Sequence, residues 1–235
     1  MPAAKKTGST ATGKRPSKTR RQRRERTGAP LTRERIVKTA LDLVDREGLK
    51  SLSMRKLGAA LGVDPMAVYY HIPNKHALLD AIVEAVMSSI DLRADSRSEP
   101  PEKRVMWAAH AYRDALLAHV NALPILLTHG PSTPAALRPV ELLVGILRDA
   151  GLPPAQALAG MNAIAAAVRG IAGMVTSSGG RPRSKEELEA FARSFPAGEL
   201  PHLCETMQHM NGFYDQGFDF GIRALARGLI AEAKS

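Results

Sequence analysis

Apolar residues along this chain recur at intervals of three and four, and no stretch alternates apolar with polar, so the pattern predicts helices throughout and no strands. Ile36, Val37, Ala40, Leu41 and Val44 mark the first helix. Thr32 is placed to cap it, with Leu31 and Ile36 at the two staple positions. Gly48 stands where a left-handed residue would end it. Ser53 is placed to cap a short helix over residues 54–61, and Gly62-Val63 reads as a tight turn. Asp64 caps a third helix with Pro65 at its first position, where a missing N–H is harmless. That helix ends near Tyr70-His71, because Pro73 disfavours helical angles at Ile72. Asn74 caps a long fourth helix that runs to about residue 90. Residues 91–103, charged and carrying two prolines, read as a linker. Further helices are expected over 102–121, 134–150, 154–176, 184–194, 200–210 and 213–233, with Ser184 and Glu187 as a capping box and a loop over 176–183. The fold class is all-α.

Composition changes this picture at the N-terminus. Residues 1–30 hold ten Lys/Arg and one acidic residue, while the other 205 residues hold 23 basic and 22 acidic groups. A nearly neutral body therefore follows a cationic arm with almost nothing to bury, which is expected to be disordered and suited to a polyanion such as the DNA backbone; an inert solubilising tail is the alternative. The single cysteine, Cys204, excludes an internal disulfide and reads as a small packed residue. No apolar core of a secretion signal follows the basic start. The apolar stretch 155–175 is interrupted by Gln156, Asn162 and Arg169, which favours a buried helix over a membrane span. A cytoplasmic protein with no membrane partner is expected.

Gly58, Gly62 and Val68 stand at helix-turn-helix offsets: a small residue at the crossing, a glycine in the turn and a branched residue locking the second helix. Leu57, Leu61 and Val63 supply the packing between the two helices. Many small helical hairpins share this spacing. The longer run LTRERIVKTALDLVDREGLKSLSMRKLGAALGVDPMAVYYHIPNKHALLDAI, residues 31–82, is more specific and resembles the N-terminal domain of the TetR family. The remaining 140 or so residues resemble that family in length, helix pattern and a few local similarities.

The resemblance implies an N-terminal three-helix DNA-binding domain over 31–91, with the helix-turn-helix at about 53–72, and a helical ligand-binding and dimerisation domain over 92–235. It implies double-stranded DNA as partner and Arg55 as a reader of guanine, whose O6 and N7 match an arginine fork; a surface or phosphate-bound arginine is the alternative. Pro65, Met66 and Ala67 fall at the tip of the recognition helix. Tetracycline-binding members carry polar side chains at two of these three places, whereas Met66 and Ala67 can only touch thymine methyls, so a different operator is expected. Tyr69, Tyr70, His71 and Lys75 fall where the family holds the phosphate backbone. Tyr69 could instead belong partly to the core, and His71 could be only a cap. Ser53 and Thr32 could offer hydroxyls or helix-terminal N–H groups to phosphates.

For the C-terminal part, the resemblance implies a homodimer and an unidentified small-molecule effector. In the last helix Phe218, Ile222, Leu225 and Leu229 form an apolar seam beside the small residues Gly217, Gly221, Ala224 and Gly228. With helix 154–176, itself rich in Ala and Gly, this predicts a four-helix interface between copies; an ordinary monomer core is the alternative. Trp107, His110, Asp114, His129, Met161 and Asn162 are candidates for the effector pocket, with an apolar or amphipathic ligand; a purely structural role is the alternative for each. Tetracycline-binding members place a ligand-binding histidine near the end of the fourth helix; ungapped counting puts Asp91 there, which argues against tetracycline. No cofactor or resident metal is expected: His202 and His209, seven apart, lack a third ligand. The sequence carries no P-loop, nucleotide-binding glycine fingerprint, GxSxG elbow or HExxH motif, so an enzyme is not expected. The reading is a DNA-binding transcriptional regulator, a repressor released from a palindromic operator by ligand. A ligand-processing enzyme or a non-specific architectural DNA-binding protein are the alternatives, and an activator is equally compatible with the sequence.

Overall fold

The computed structural model describes residues 30–92, 95, 97–177, 184–196, 198–208 and 213–233. The expected disordered arm, much of the 176–183 loop and His209 lie outside them. Pro30, Leu31 and Thr32 precede the first helix, and residues 33–235 form a compact unit.

Eleven α-helices and no strand occur among the described residues. They are α1 (Arg33–Glu47), α2 (Met54–Leu61), α3 (Pro65–Tyr69), α4 (Lys75–Ser88), α5 (Pro101–Ala118), α6 (Leu123–Thr128), α7 (Pro134–Asp149), α8 (Pro154–Ser177), α9 (Lys185–Arg193), α10 (Pro201–Gln208) and α11 (Phe213–Glu232). Two 3₁₀ turns, Leu49–Ser51 and Val120–Ala122, join α1 to α2 and α5 to α6. Side-chain oxygens of Ser53, Asp64, Asn74, Thr133 and Ser184 each accept a backbone N–H at the start of a helix. Ser184 and Glu187 close a reciprocal capping box.

The fold departs from the sequence pattern in three places. Helix 102–121 stops at Ala118, and the apolar run after it forms the separate helix α6, which the pattern missed. Pro124 sits in the first turn of α6, where its missing N–H is harmless. Gly48 ends α1 with φ 78° but ψ 161°, so it is not a left-handed cap; only glycine tolerates this positive-φ extended geometry. The linker over 91–103 is not featureless. Asp95 meets both Nε and Nη2 of Arg104 in a forked pair at 2.8 and 2.9 Å, and Asp149 at the end of α7 takes Nη1 at 3.0 Å. Arg104 is 6% exposed, so this triad ties Asp95 and the first turn of α5 to the end of α7. The guanidinium beside Asp95 holds its carboxyl below the usual carboxylate range.

The apolar stripes meet in two continuous layers. In the first, α1, α2 and α4 bury Ile36, Leu57 and Ile82 with Val68 of α3. In the second, α8 packs against α5, α7 and α11, burying Leu116, Ile146, Ile164, Val168 and Phe218. Helix α4 belongs to both, because its far half packs against α7.

Candidate nucleic-acid interface and effector cavity

The helix-turn-helix is built from short-range signals. The Val63 N–H donates to Gly58 O at 2.9 Å and the Gly62 N–H to Ala59 O at 3.2 Å, the paired bonds of a Schellman ending. Gly62 takes the left-handed angles this requires (φ 72°, ψ 28°). Gly58 is needed for a different reason. A Cβ there would lie 3.1 Å from Val63 O and 3.2 Å from the Pro65 backbone, so a side chain would push α3 off α2. After α3, the N–H groups of His71 and Ile72 both donate to Val68 O at 3.0 Å. Val68 and Ile72 are fully buried, so the chain is anchored on either side of Tyr69, Tyr70 and His71, which all face solvent.

Most of the predicted DNA-contacting residues are exposed. Arg55 is exposed in the first turn of α2, Met66 is 63% and Tyr70 88% exposed, and Lys75 is exposed at the first position of α4. Pro65 and Ala67 are half-buried, Ser53 is exposed, and Thr32 is exposed just before α1. Tyr69, for which a core position was the alternative, is 40% exposed. The Ser53 hydroxyl accepts the Lys56 N–H at 3.2 Å, so its oxygen is engaged as a cap. The Lys56 ammonium pairs with Glu47, which removes one cation from the face. Two ties hold this layer: Arg33 of α1 to Glu84 of α4 at 3.2 Å, and His119 Nδ1 to Asp45 of α1 at 2.8 Å. Asn121 adds a bond from its side-chain amide to Asp45 O at 2.7 Å.

A cavity of about 300 Å³ lies between α4, α5, α7 and α8 and the turn after α6. Its wall is mostly aliphatic, from Val83, Met87 and Ile90 through Leu126, Val140 and Leu143 to Met161, Ile164 and Val168. Tyr112, His129, Asn162 and Arg169 bring polar groups to it. Burial pushes the Tyr112 hydroxyl above the usual phenol range, while the hydrogen-bonded Arg169 pulls the other way.

Of the six sequence candidates for this pocket, His129, Met161 and Asn162 line the cavity, and Trp107, His110 and Asp114 do not. The correction is one of helix phase. Helix α5 faces the cavity with Ala108, Ala109 and Tyr112, whereas His110 points to α11, 2.9 Å from Asp219 and edge-on to Phe218. Asp114 is exposed beside Arg113. Tyr112 and Arg169 were missed; their signal was a phenol and a guanidinium at apolar helical positions. Asp91 lines an adjoining cavity of about 330 Å³, and the histidine at the first cavity comes from the residue after α6.

The seam expected at a dimer interface also needs correction. Phe218 and Ile222 are wholly buried within their own chain, where the Arg113 guanidinium stacks 4.6 Å over the Phe218 ring. Leu225 is half-buried, as is Leu229, whose methyls lie against Gly160 of α8. Gly221 is half-buried, and Gly217 and Gly228 are exposed together with Ala224 and Phe220, the last 77% exposed. On the adjacent α8, Leu158, Ala159, Ala163, Ala166, Gly170 and Met174 are exposed. Helix α8 is long and apolar enough to cross a membrane over 154–175, and 33% of that stretch is buried within the chain. Its uncovered side is thus one half of a small-residue apolar face completed by α11.

This layout can be set against known proteins. Residues 36–82 match the model of bacterial regulatory proteins of the tetR family, and residues 99–233 match that of the tetracyclin repressor-like C-terminal domain. The chain is 29% identical to an HTH-type transcriptional regulator of Saccharopolyspora erythraea over 91% of each chain. It is also 29% identical to the class C tetracycline repressor protein of Escherichia coli, over 85% of this chain and 90% of that one. Its fold is similar to that of the Streptomyces coelicolor TetR family protein ActR in complex with actinorhodin, with a TM-score of 0.78 and 28% identity over 88% of this chain and 100% of that one. With both halves matched and the helix-turn-helix in place, the chain belongs to the TetR family of bacterial regulatory proteins.

Proposed function

We propose that this regulator is a cytoplasmic homodimeric repressor that binds a near-palindromic operator through α2, α3 and the start of α4, and is released by a small, largely apolar ligand in the α4–α8 cavity. The observation that carries the reading is the position of α4. Its first residue, Lys75, is exposed directly after the helix-turn-helix, and Val83, Met87 and Ile90 at and beyond its far half line the cavity. A ligand that prefers a shifted α4 therefore lowers DNA affinity by the difference in its affinity for the two arrangements.

Arg55 supplies base recognition, Met66 and Ala67 touch thymine methyls, and Tyr69, Tyr70, His71 and Lys75 hold phosphates. Ser53 and Thr32 lie at the edge of this contact. The exposed face of α8 and α11, centred on Phe220, is the surface where two copies meet. Its small residues allow close approach of helices, and a dimer places two recognition helices on successive turns of the groove. Tyr112, His129, Asn162 and Arg169 orient the ligand while the aliphatic wall supplies its burial.

Selection of bound duplexes from a random pool by the purified full chain tests the reading. An inverted repeat with half-sites about one DNA turn apart is expected. Uniform retention of all sequences, with a steep salt dependence, would replace it with non-specific binding through the basic arm.

A further inference from the structure

His76, Asp80 and His129 form a cluster of which the effector cavity uses only His129 and the DNA contacts use none. His76 and Asp80 are one turn apart on α4, and His129 follows the end of α6. Each offers one ligating atom, and these atoms lie within 4.8 Å of one another. His129 Nε2 is 3.3 Å from His76 Nδ1, and His76 Nε2 is 3.6 Å from an Asp80 carboxylate oxygen. Ligands bound tetrahedrally at about 2.0–2.1 Å from zinc are separated by roughly 3.3 Å, so the two imidazoles already stand at that separation, and the Asp80 carboxylate, within 4.8 Å, joins them by a side-chain rotation.

The tautomer of His129 is also suitable. The Thr128 hydroxyl donates to Pro124 O at 2.9 Å, so its lone pair accepts from His129 Nδ1 at 3.0 Å. The proton of His129 is thereby held on Nδ1, and the lone pair of Nε2 faces His76. This is the arrangement a metal-binding histidine requires, with the second nitrogen oriented by a neighbour. The His76 side chain is 76% exposed and can turn either nitrogen inward without disturbing the core.

We propose that His76, Asp80 and His129 bind a divalent transition-metal ion of the zinc class, with solvent completing the coordination. Two imidazoles and one carboxylate suit zinc, cobalt or nickel better than the oxygen-preferring magnesium or calcium. The ion would tie the first turn of α4, one residue from Lys75, to the segment carrying His129 at the cavity wall. Ligand and DNA surfaces would then share a metal-dependent strut.

The test uses the tag-free full chain, stripped with a chelator and titrated with cobalt(II), then zinc(II) against a chromophoric competitor. Wild type is expected to take up one ion per chain with micromolar or tighter affinity and to give the visible absorption of four-coordinate cobalt. Affinity should fall by on the order of a hundredfold in His76→Ala and in His129→Ala, and remain unchanged in His202→Ala, which alters an exposed histidine elsewhere. His76→Ala should melt like wild type when both are metal-free, which separates loss of the site from loss of the fold. No uptake by wild type, or equal uptake by His76→Ala, would overturn the proposal.

Discussion

The proposed DNA-reading surface and the proposed effector cavity are assembled at very different ranges. The first is made by 23 consecutive residues, 53–75, in which three caps, one left-handed glycine and one crossing glycine set every turn. The second draws its wall from residues between Val83 and Arg169 on five helices. The reading surface therefore depends on single local residues, whereas the cavity depends on how whole helices are pinned to one another.

The largest expected effect lies on the cavity side. Asp95→Ala removes the forked partner of buried Arg104, leaving only Asp149 to balance its charge. A loss of about 3 kcal/mol is expected in urea unfolding, the low end for breaking a buried ion pair because one partner remains. The same contact predicts a pH dependence. The folded pKa of Asp95 lies below its unfolded value of about 3.9, so the unfolded chain binds more protons between the two. The stabilisation is complete above the unfolded value and is lost as pH falls through the folded one. Asp95→Ala should lack this acid-side component, and equal acid slopes for the two proteins would remove Asp95 from the account.

Gly58→Ala should act on the other region. Its Cβ would press on backbone rather than on a flexible side chain, so a cost of about 1–3 kcal/mol is expected, with operator affinity falling further than stability alone explains. Unchanged melting would mean that α3 moves aside freely. Arg55→Ala should cost about 1–3 kcal/mol of operator binding and relax preference at one base pair per half-site, with melting unchanged. An equal loss on every sequence would make Arg55 a phosphate contact. Lys75→Ala should give the smallest change, a similar loss on all sequences and a salt slope shallower by about 0.9; loss of base preference would contradict its assignment to the backbone.

Legibility follows the same division. Ser53, Asp64, Asn74 and Ser184 were readable as caps because a cap is a bond between residues two or three apart. Helix α6 is six residues long, too short for its apolar run to show a helical period. Trp107, His110 and Asp114 were assigned to the cavity because periodicity shows that α5 has an apolar side without saying which neighbour covers it. On α11 the same limit holds: Phe218 and Ile222 are covered inside the chain, leaving Gly217, Phe220, Ala224 and Gly228 exposed.

The sequence by itself determined the all-helical class, the helix-turn-helix, its caps and its turn, since each is specified by contacts within a few residues. Only the tertiary structure decided which face of α5 and α11 is covered, that Tyr112 and Arg169 join His129 at one cavity, and that Asp95 reaches a buried arginine. Those outcomes depend on the rotation of one helix against another, which is set by packing between residues tens of positions apart.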